Sequence, residues 1–370
     1  MNNVHLIFSG FNQRAIIAFL RTLEETKRPF AIIAKSKEDA ILLTKNKIKV
    51  YAIRKRLELD MDDLKNSINE VKNAIDAKSF IIAPSTEALN RYVINNIKAL
   101  ESLNCYSPLV NKNLYELISD KYSFGELCIQ NGIDVPFKYD SFIKAKIPFV
   151  AKPIKYFSST NKVHYPLLIL NKNDKINFLN DYNTSDFYFQ EFVTGKSFYL
   201  LYYFHRNGTI YKYSQENIVQ QPNGKSIIAA INSDFHLSSE SLKYEKMLKK
   251  IKYYGFIMIE VKKSGSKNYM IEANPRFWGP SQLFVDADKN LFKAYLNDFD
   301  DLSLGNKFFK NNKPSKYFWF GGLIESYKNR GKPVFYNESE NAFLMTLNKW
   351  LKYDIYNRID TIEIFKDELK

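Results

Sequence analysis

A mixed α/β fold that opens with a parallel sheet is predicted by three observations. Short apolar runs alternate with helical stretches through the first hundred residues. Strands joined by helices of roughly 10–15 residues imply βαβ units and hence parallel pairing. Later apolar runs are paired across Asn207-Gly208 and across the polar stretch 262–268, which predicts antiparallel hairpins. The length, 370 residues, suits about two or three domains.

The elements follow in order. Residues 4–8 are a strand, Ser9-Gly10 a turn, and 14–23 a helix. The turn SGFNQRA has one glycine where a dinucleotide-binding fingerprint needs three, so it is a plain strand-to-helix connection. Residues 30–34 form a second strand, 37–45 a helix and 49–53 a third strand. Spacing through Met61, Leu64, Ile68, Val71 and Ile75 predicts a helix over 60–77. Residues 80–83 are a strand stopped by Pro84, and 87–100 a helix. Ser119-Asp120-Lys121 opens a helix that ends at Gly132, a C-terminal capping glycine. Strands over 148–153, 163–170 and 187–193 surround a polar loop, 156–162, and a helix, 172–182. The hairpin 198–204/209–213 leads into polar residues 214–226, read as a loop, and a helix over 238–254. Beyond 301, Asn311-Asn312-Lys313-Pro314 reads as a linker, 317–324 is apolar and aromatic, its segment 317–320 suits a core or a homodimer interface, and 341–351 is helical. The chain divides into an N-terminal βαβ domain (1–112), a small α+β part (113–195), a larger one (196–300) and a C-terminal extension (301–370).

Composition narrows the function classes. Hydrophobic residues at 45% and charged residues at 25% are ordinary for a soluble globular protein. No apolar run reaches the roughly 18 residues of a membrane span, and the first residues lack the basic region of a signal peptide. Cys105 and Cys128 give neither a disulfide framework nor zinc spacing, and are read as reduced thiols of a cytoplasmic protein. The net charge is +14, but the lysines are scattered as singles and pairs. That dispersal argues against nucleic acid or a membrane as partner and stays compatible with an anionic small molecule such as a nucleotide. The four histidines form no cluster.

The informative stretch is residues 256–276. The strands 256–261 and 269–274 make a hairpin that sets Glu260 opposite Glu272 if its turn centres near Ser266. Met258, Glu260, Met270, Glu272 and Asn274 then share one face, and Ile257, Ile259, Val261, Ile271 and Ala273 the apolar other. A bulge would move residues between faces. Two glutamates directly opposed repel. Magnesium, which takes oxygen ligands from one or two carboxylates together with substrate phosphates, would relieve them. Asn274 adds an oxygen, and Arg276 suits bidentate binding of a developing anion. The other reading is a half-exposed hairpin whose glutamates are solvated beside Lys262 or Lys267.

Glu260 followed by Glu272-Ala273-Asn274-Pro275-Arg276 resembles the magnesium-binding segment of the ATP-grasp superfamily. The wording IEANPRFWG is similar to that of carbamoyl-phosphate-synthase-like carboxylate–amine ligases. Asp120-Lys121, Gly132-Ile133-Asp134-Val135-Pro136, Val150-Ala151-Lys152-Pro153 and Gln190-Glu191-Phe192-Val193 match further pieces in the same order, over roughly residues 1–300. The resemblance implies an ATP-grasp fold in which two α+β parts clasp ATP. It implies ATP phosphates on Lys121 and Lys152, adenine along Gln190, Glu191 and Val193, and one or two Mg2+ ions on Glu260, Glu272 and Asn274. Arg276 would stabilise the transferring phosphoryl group. The activity implied is activation of a carboxylate as an acyl phosphate and its coupling to an amine, both small molecules. By position, Gln215, Ser226 and Ser281 are candidates for contacting substrate. The sequence departs from the family in the loop after Lys152, which has Ser158 and Ser159 where glycines are usual. A Lys196-Ser197 pair stands where many relatives have a ribose-binding acid. An ATP-binding regulatory protein without ligase activity is therefore the alternative.

Overall fold

The computed structural model describes residues 3–300, 313–329 and 331–370, so Asn311 and Asn312 of the expected linker lie outside the described residues. Strands β1 (Asn3–Phe8), β2 (Phe30–Ala34), β3 (Val50–Ile53), β4 (Ser79–Ile82) and β5 (Cys105–Tyr106) form a parallel sheet in the order β3-β2-β1-β4-β5. Strand β1 is buried at every position after Asn3, His5 included, because both sheet faces are covered. Helix α1 (Gln13–Glu25) packs on one face, while α2 (Met61–Ala74) and α3 (Glu87–Asn95) pack on the other. Asp60 caps α2 by accepting from Asp62 and Asp63 N–H, and Thr86 caps α3 through Leu89 N–H.

Three expected helices come out differently, the one over 341–351 as two short helices, Glu340–Met345 and Leu347–Leu351, that meet at Thr346. Residues 37–45 are not one helix but the short 3-10 turns Ala40–Leu43 and Lys45–Lys49, because Asp39 and Thr44 accept backbone N–H groups and restart the chain each time. The helix expected over 87–100 breaks at Asn96 into α3 and α4 (Ile97–Glu101). Helices α5 (Lys112–Ser119) and α6 (Lys121–Gln130) then lead away from the parallel sheet.

A four-stranded sheet follows. Strands β6 (Lys138–Tyr139), β7 (Phe149–Pro153), β8 (Leu167–Ile169) and β9 (Phe187–Glu191) run in the order β6-β9-β7-β8 around Phe142, Phe149, Phe178, Phe187 and Phe189. The largest sheet holds β10 (Lys196–Phe204), β11 (Ile210–Gln220), β12 (Ile227–Ser233), β13 (Gly255–Ser264), β14 (Lys267–Asn274) and β15 (Lys316–Phe318), in the order β14-β13-β10-β11-β12-β15. Strand β16 (Val334–Phe335) joins it at β11. The polar run 214–217, expected in a loop, lies inside β11, and β12 was not foreseen. Polarity there marks buried side chains that bond to one another, not exposure.

The C-terminal segment is built into this same sheet. Tyr317 and Phe318 are fully buried, which gives that aromatic run a core role. No helix among the described residues is long and apolar enough to cross a membrane. Arg14 of α1 stacks 3.7 Å over the Trp319 ring, and the Trp319 indole donates to Glu368 Oε1 at 2.9 Å. Burial pushes the Glu368 carboxyl up to about 7, although that hydrogen bond opposes it. The folded chain therefore holds a proton that the unfolded chain releases near pH 4.5, and stability falls as pH rises from there through 7. Glu368→Gln should match the parent in melting experiments near pH 4.5 and exceed it by about 2 kcal/mol at pH 8.

Candidate active site

The β13–β14 hairpin sets the carboxylates. Gly265, in the left-handed region at φ 58°, closes a two-residue turn between the paired Ser264 and Lys267. That turn alone would place the partners one residue out of the expected register. A bulge on β14 at Ile271, between Met270 and Glu272, restores it, so that Glu260 pairs with Glu272 and Met258 with Asn274. The bulge corrects one expectation. Met270 falls on the apolar face with Ile257, Ile259, Val261 and Ala273, not on the carboxylate face.

The bulge also positions a cation. The Ile271 carbonyl, freed from the ladder, accepts from Lys152 Nζ at 2.7 Å. Burial holds the Lys152 ammonium below the usual lysine value, at about 8, although Glu272 draws it upward. Lys121, at the first turn of α6, lies 3.2 Å from Glu272 Oε2, and the Asn274 amide donates to Glu272 Oε1 at 2.8 Å. Burial pushes Glu272 up, but Lys121 and then Asn274 outweigh it and hold the carboxyl at about 2. Glu260 has no such cation in contact. Burial first, and then facing Glu272, push it up to about 7.

Glu260 is instead held by a chain of neutral groups. Ser197 donates to Glu260 Oε1 at 3.2 Å, Asn217 Nδ2 donates to Ser197 Oγ at 2.8 Å, and Gln215 Nε2 donates to Asn217 Oδ1 at 2.7 Å. Ser197 and Asn217 were not among the expected site residues. The signal was alternation: Tyr211, Tyr213, Gln215 and Asn217 occupy every second position of β11, with Ser197 opposite Asn217 on β10. Tyr336 was missed as well, and Lys262 was read only as a neighbour of solvated glutamates. Lys262 Nζ donates to the Val193 carbonyl at 3.3 Å and lies 5.8 Å from the Tyr336 ring.

Arg276 is braced by its own turn, its guanidinium donating to the Phe277 carbonyl at 2.8 Å and to Asn274 Oδ1 at 3.3 Å. The parallel sheet braces the turn in its place. Phe277 N–H donates to the Pro84 carbonyl at 2.9 Å, and Asn12 Nδ2 donates to the Phe277 and Ser85 carbonyls at 3.0 Å each. These contacts lie beyond the ends of β1 and β4, where the strand order reverses. Open α/β sheets bind ligands at such points. Here the chain's own segment 275–277 takes that position, and Phe277 and Trp278 are buried core residues.

The remaining candidates are distributed. Gln190 is buried and donates through Nε2 to the Pro136 carbonyl at 3.3 Å, and its Oε1 is a buried acceptor without a partner. Glu191 is exposed, and Val193 is buried at the end of the same segment. Ser159 donates from its N–H and its hydroxyl to Asp186, both at 2.9 Å, and Ser158 bonds within its own loop to Thr160 and Lys162. Both hydroxyls thus shape the loop. Ser226 accepts from Arg14 at 2.8 Å, and Ser281 is buried with its hydroxyl donating to the Trp278 carbonyl at 2.5 Å. Those two serines hold the structure around the turn, while Gln215 joins the carboxylate chain.

The donor set fits magnesium. Two carboxylates oppose each other on one sheet face, a repulsion that a divalent cation relieves, and the Asn274 side chain on the same face turns its amide nitrogen to Glu272 and its oxygen to Arg276. Among the described residues no group of three or more His, Cys, Asp or Glu side chains is placed to hold a metal, so phosphate oxygens would have to complete the coordination.

Neither a family model nor a curated protein matches the sequence. Solved structures do match. N5-carboxyaminoimidazole synthetase from Staphylococcus aureus, complexed with ADP, aligns at a TM-score of 0.63 and 15% identity, covering 94% of this chain and 96% of that one. Biotin carboxylase from Campylobacter jejuni, in a complex with β,γ-ATP, aligns at 0.63 and 12% identity, covering 84% and 74%. The biotin carboxylase domain dimer of Hydrogenobacter thermophilus 2-oxoglutarate carboxylase, with MgADP, ADP and bicarbonate, aligns at 0.55 and 14% identity, covering 74% and 64%. At these identities the likeness is one of fold.

Proposed function

We propose that this chain, which has the ATP-grasp fold, is an ATP-dependent ligase that activates a carboxylate as an acyl phosphate and joins it to an amine. The observation that carries the reading is the registered Glu260–Glu272 pair, with Asn274 on the same face and Lys121 on Glu272. A solvated hairpin has no need of a buried lysine on one glutamate and a three-residue hydrogen-bonded chain on the other.

Lys121 and Lys152 would neutralise the phosphates of ATP. Gln190, Glu191 and Val193 would receive its base, a carbonyl near Gln190 or Glu191 accepting from the exocyclic amine and the Val193 N–H donating to the ring. Glu260, Glu272 and Asn274 would hold magnesium, which when bound offsets charge on the phosphoryl group being transferred. Arg276, fixed by its two hydrogen bonds, would meet the charge that develops as the substrate carboxylate attacks the γ-phosphate. The amine would then displace phosphate, leaving an amide, ADP and phosphate. Two of the matched structures contain adenosine diphosphate and one is a dimer, which supports nucleotide use and is compatible with a homodimer.

The test is an ADP-release screen over acids and amines, with product masses measured. Magnesium-dependent ADP release and a product lighter by one water than acid plus amine are expected for one pair. Lys152→Met should lower that rate by about 100-fold, on the scale of losing one charge-stabilising group. The second reading, an ATP-binding protein without ligase activity, draws on the glycine-free loop. ATP binding with no ADP release across the panel would select it.

A further inference from the structure

We propose that Tyr156 and Arg91 form a latch between the loop after β7 and the parallel-sheet domain, and that both are positioning residues for the phosphate end of the site. The second half of this inference rests on the nucleotide reading above. Loops that wrap phosphates with their backbone rely on glycine for close approach, and residues 154–162 contain none. Side chains must set this loop instead.

They do so in two stages. The first fixes its shape. The Ile154 N–H donates to the Asp186 carbonyl at 2.9 Å, and Ser159 grips the Asp186 carboxylate with N–H and hydroxyl. Ser158 and Lys162 close the tip, with the Ser158 N–H donating to the Lys162 carbonyl at 2.8 Å. Asp186 immediately precedes β9, so these contacts stay within the loop's own sheet and say nothing of where the loop stands relative to Lys121.

The second stage fixes its place. The Arg91 guanidinium lies 4.4 Å from the centroid of the Tyr156 ring. Arg91 is itself immobilised: it donates to Glu87 at 3.0 Å, to Ser119 at 2.6 Å and to the Asp120 carboxylate. Asp120 is the residue before Lys121, whose ammonium reaches Glu272. One guanidinium thus ties the loop, the start of α6 and α3 into a single frame around the two phosphate-binding lysines. A loop without glycine gains from an aromatic ring on a fixed cation what a glycine-rich loop gains from backbone freedom.

The experiment uses the full chain. Trypsin cleavage at Lys155 and Lys162, followed by mass spectrometry without nucleotide, reads the latch. Tyr156→Ala should be cut roughly 3- to 30-fold faster, the factor expected for losing a cation–π contact. Tyr156→Phe and Tyr156→Trp should cleave at the parent rate, and Tyr156→Leu at the alanine rate. Binding of magnesium–ATP by calorimetry reads the positioning role: Tyr156→Ala should weaken it by a similar factor while Tyr156→Phe restores it. Unchanged cleavage in Tyr156→Ala, or full protection by Tyr156→Leu, overturns the latch. Faster cleavage with unchanged ATP affinity overturns the positioning role. A parent protein that binds no ATP removes the nucleotide reading and the positioning role with it, while the cleavage series still decides the latch.

Discussion

Glu272→Gln should reduce magnesium-dependent ADP release by at least about 100-fold and lower stability, whereas Glu260→Gln should match the loss of activity and raise stability. The argument lies in what each glutamate faces. Glu272 holds the Lys121 ammonium at 3.2 Å, and removing its charge leaves a largely buried lysine unpaired. Breaking such a pair costs about 2 kcal/mol where both groups keep some contact with water, as here, less than for a fully buried pair. Glu260 touches no cation, only the Ser197 hydroxyl, and stands opposite another carboxylate. Its isosteric amide keeps the hydrogen bond and removes the repulsion. Melting temperatures at pH 8 without magnesium should therefore move in opposite directions for the two variants. Adding magnesium and ATP should raise the melting temperature of the parent and of neither variant. Full magnesium-dependent turnover by Glu272→Gln with its true substrates would remove the site assignment.

Much of this site was legible because its chemistry is local. The Glu260–Glu272 pairing and Asn274 sit within one hairpin, and period-two alternation was enough to put them on one face. Lys121 at a helix start and Lys152 at a strand end were legible from the resemblance, not from spacing. What escaped was whatever depends on the register of distant strands. Met270 went to the wrong face because the sequence does not mark the bulge at Ile271, which costs a ladder bond and is stabilised by Lys152, 119 residues earlier. Ser197 and Asn217 escaped because a polar strand inside a large sheet looks like a loop until its neighbours are known. Helix interruptions at Asp39, Thr44 and Asn96 escaped because side-chain capping competes with helical spacing at single residues.

Phe277→Ala is expected to damage both stability and turnover, and the way it fails is informative. The ring is fully buried at 5.0 Å from Phe19, 5.1 Å from Phe256 and 4.8 Å from Phe292. Truncating such a ring costs about 3–5 kcal/mol. Phe292→Ala, on the same aromatic cluster, should cost a similar amount, so stability alone does not separate the two. Activity does. The backbone of Phe277 bonds to Pro84 and Asn12 and accepts from Arg276, so loss of the ring loosens the segment that aims the guanidinium. At a temperature where both variants stay folded by circular dichroism, Phe277→Ala should lose about tenfold in kcat with little change in the KM for ATP. Phe292→Ala should keep the parent kcat. Equal kcat values in the two variants would mean that the aromatic turn only packs, and that the parallel-sheet domain contributes nothing to the placement of Arg276.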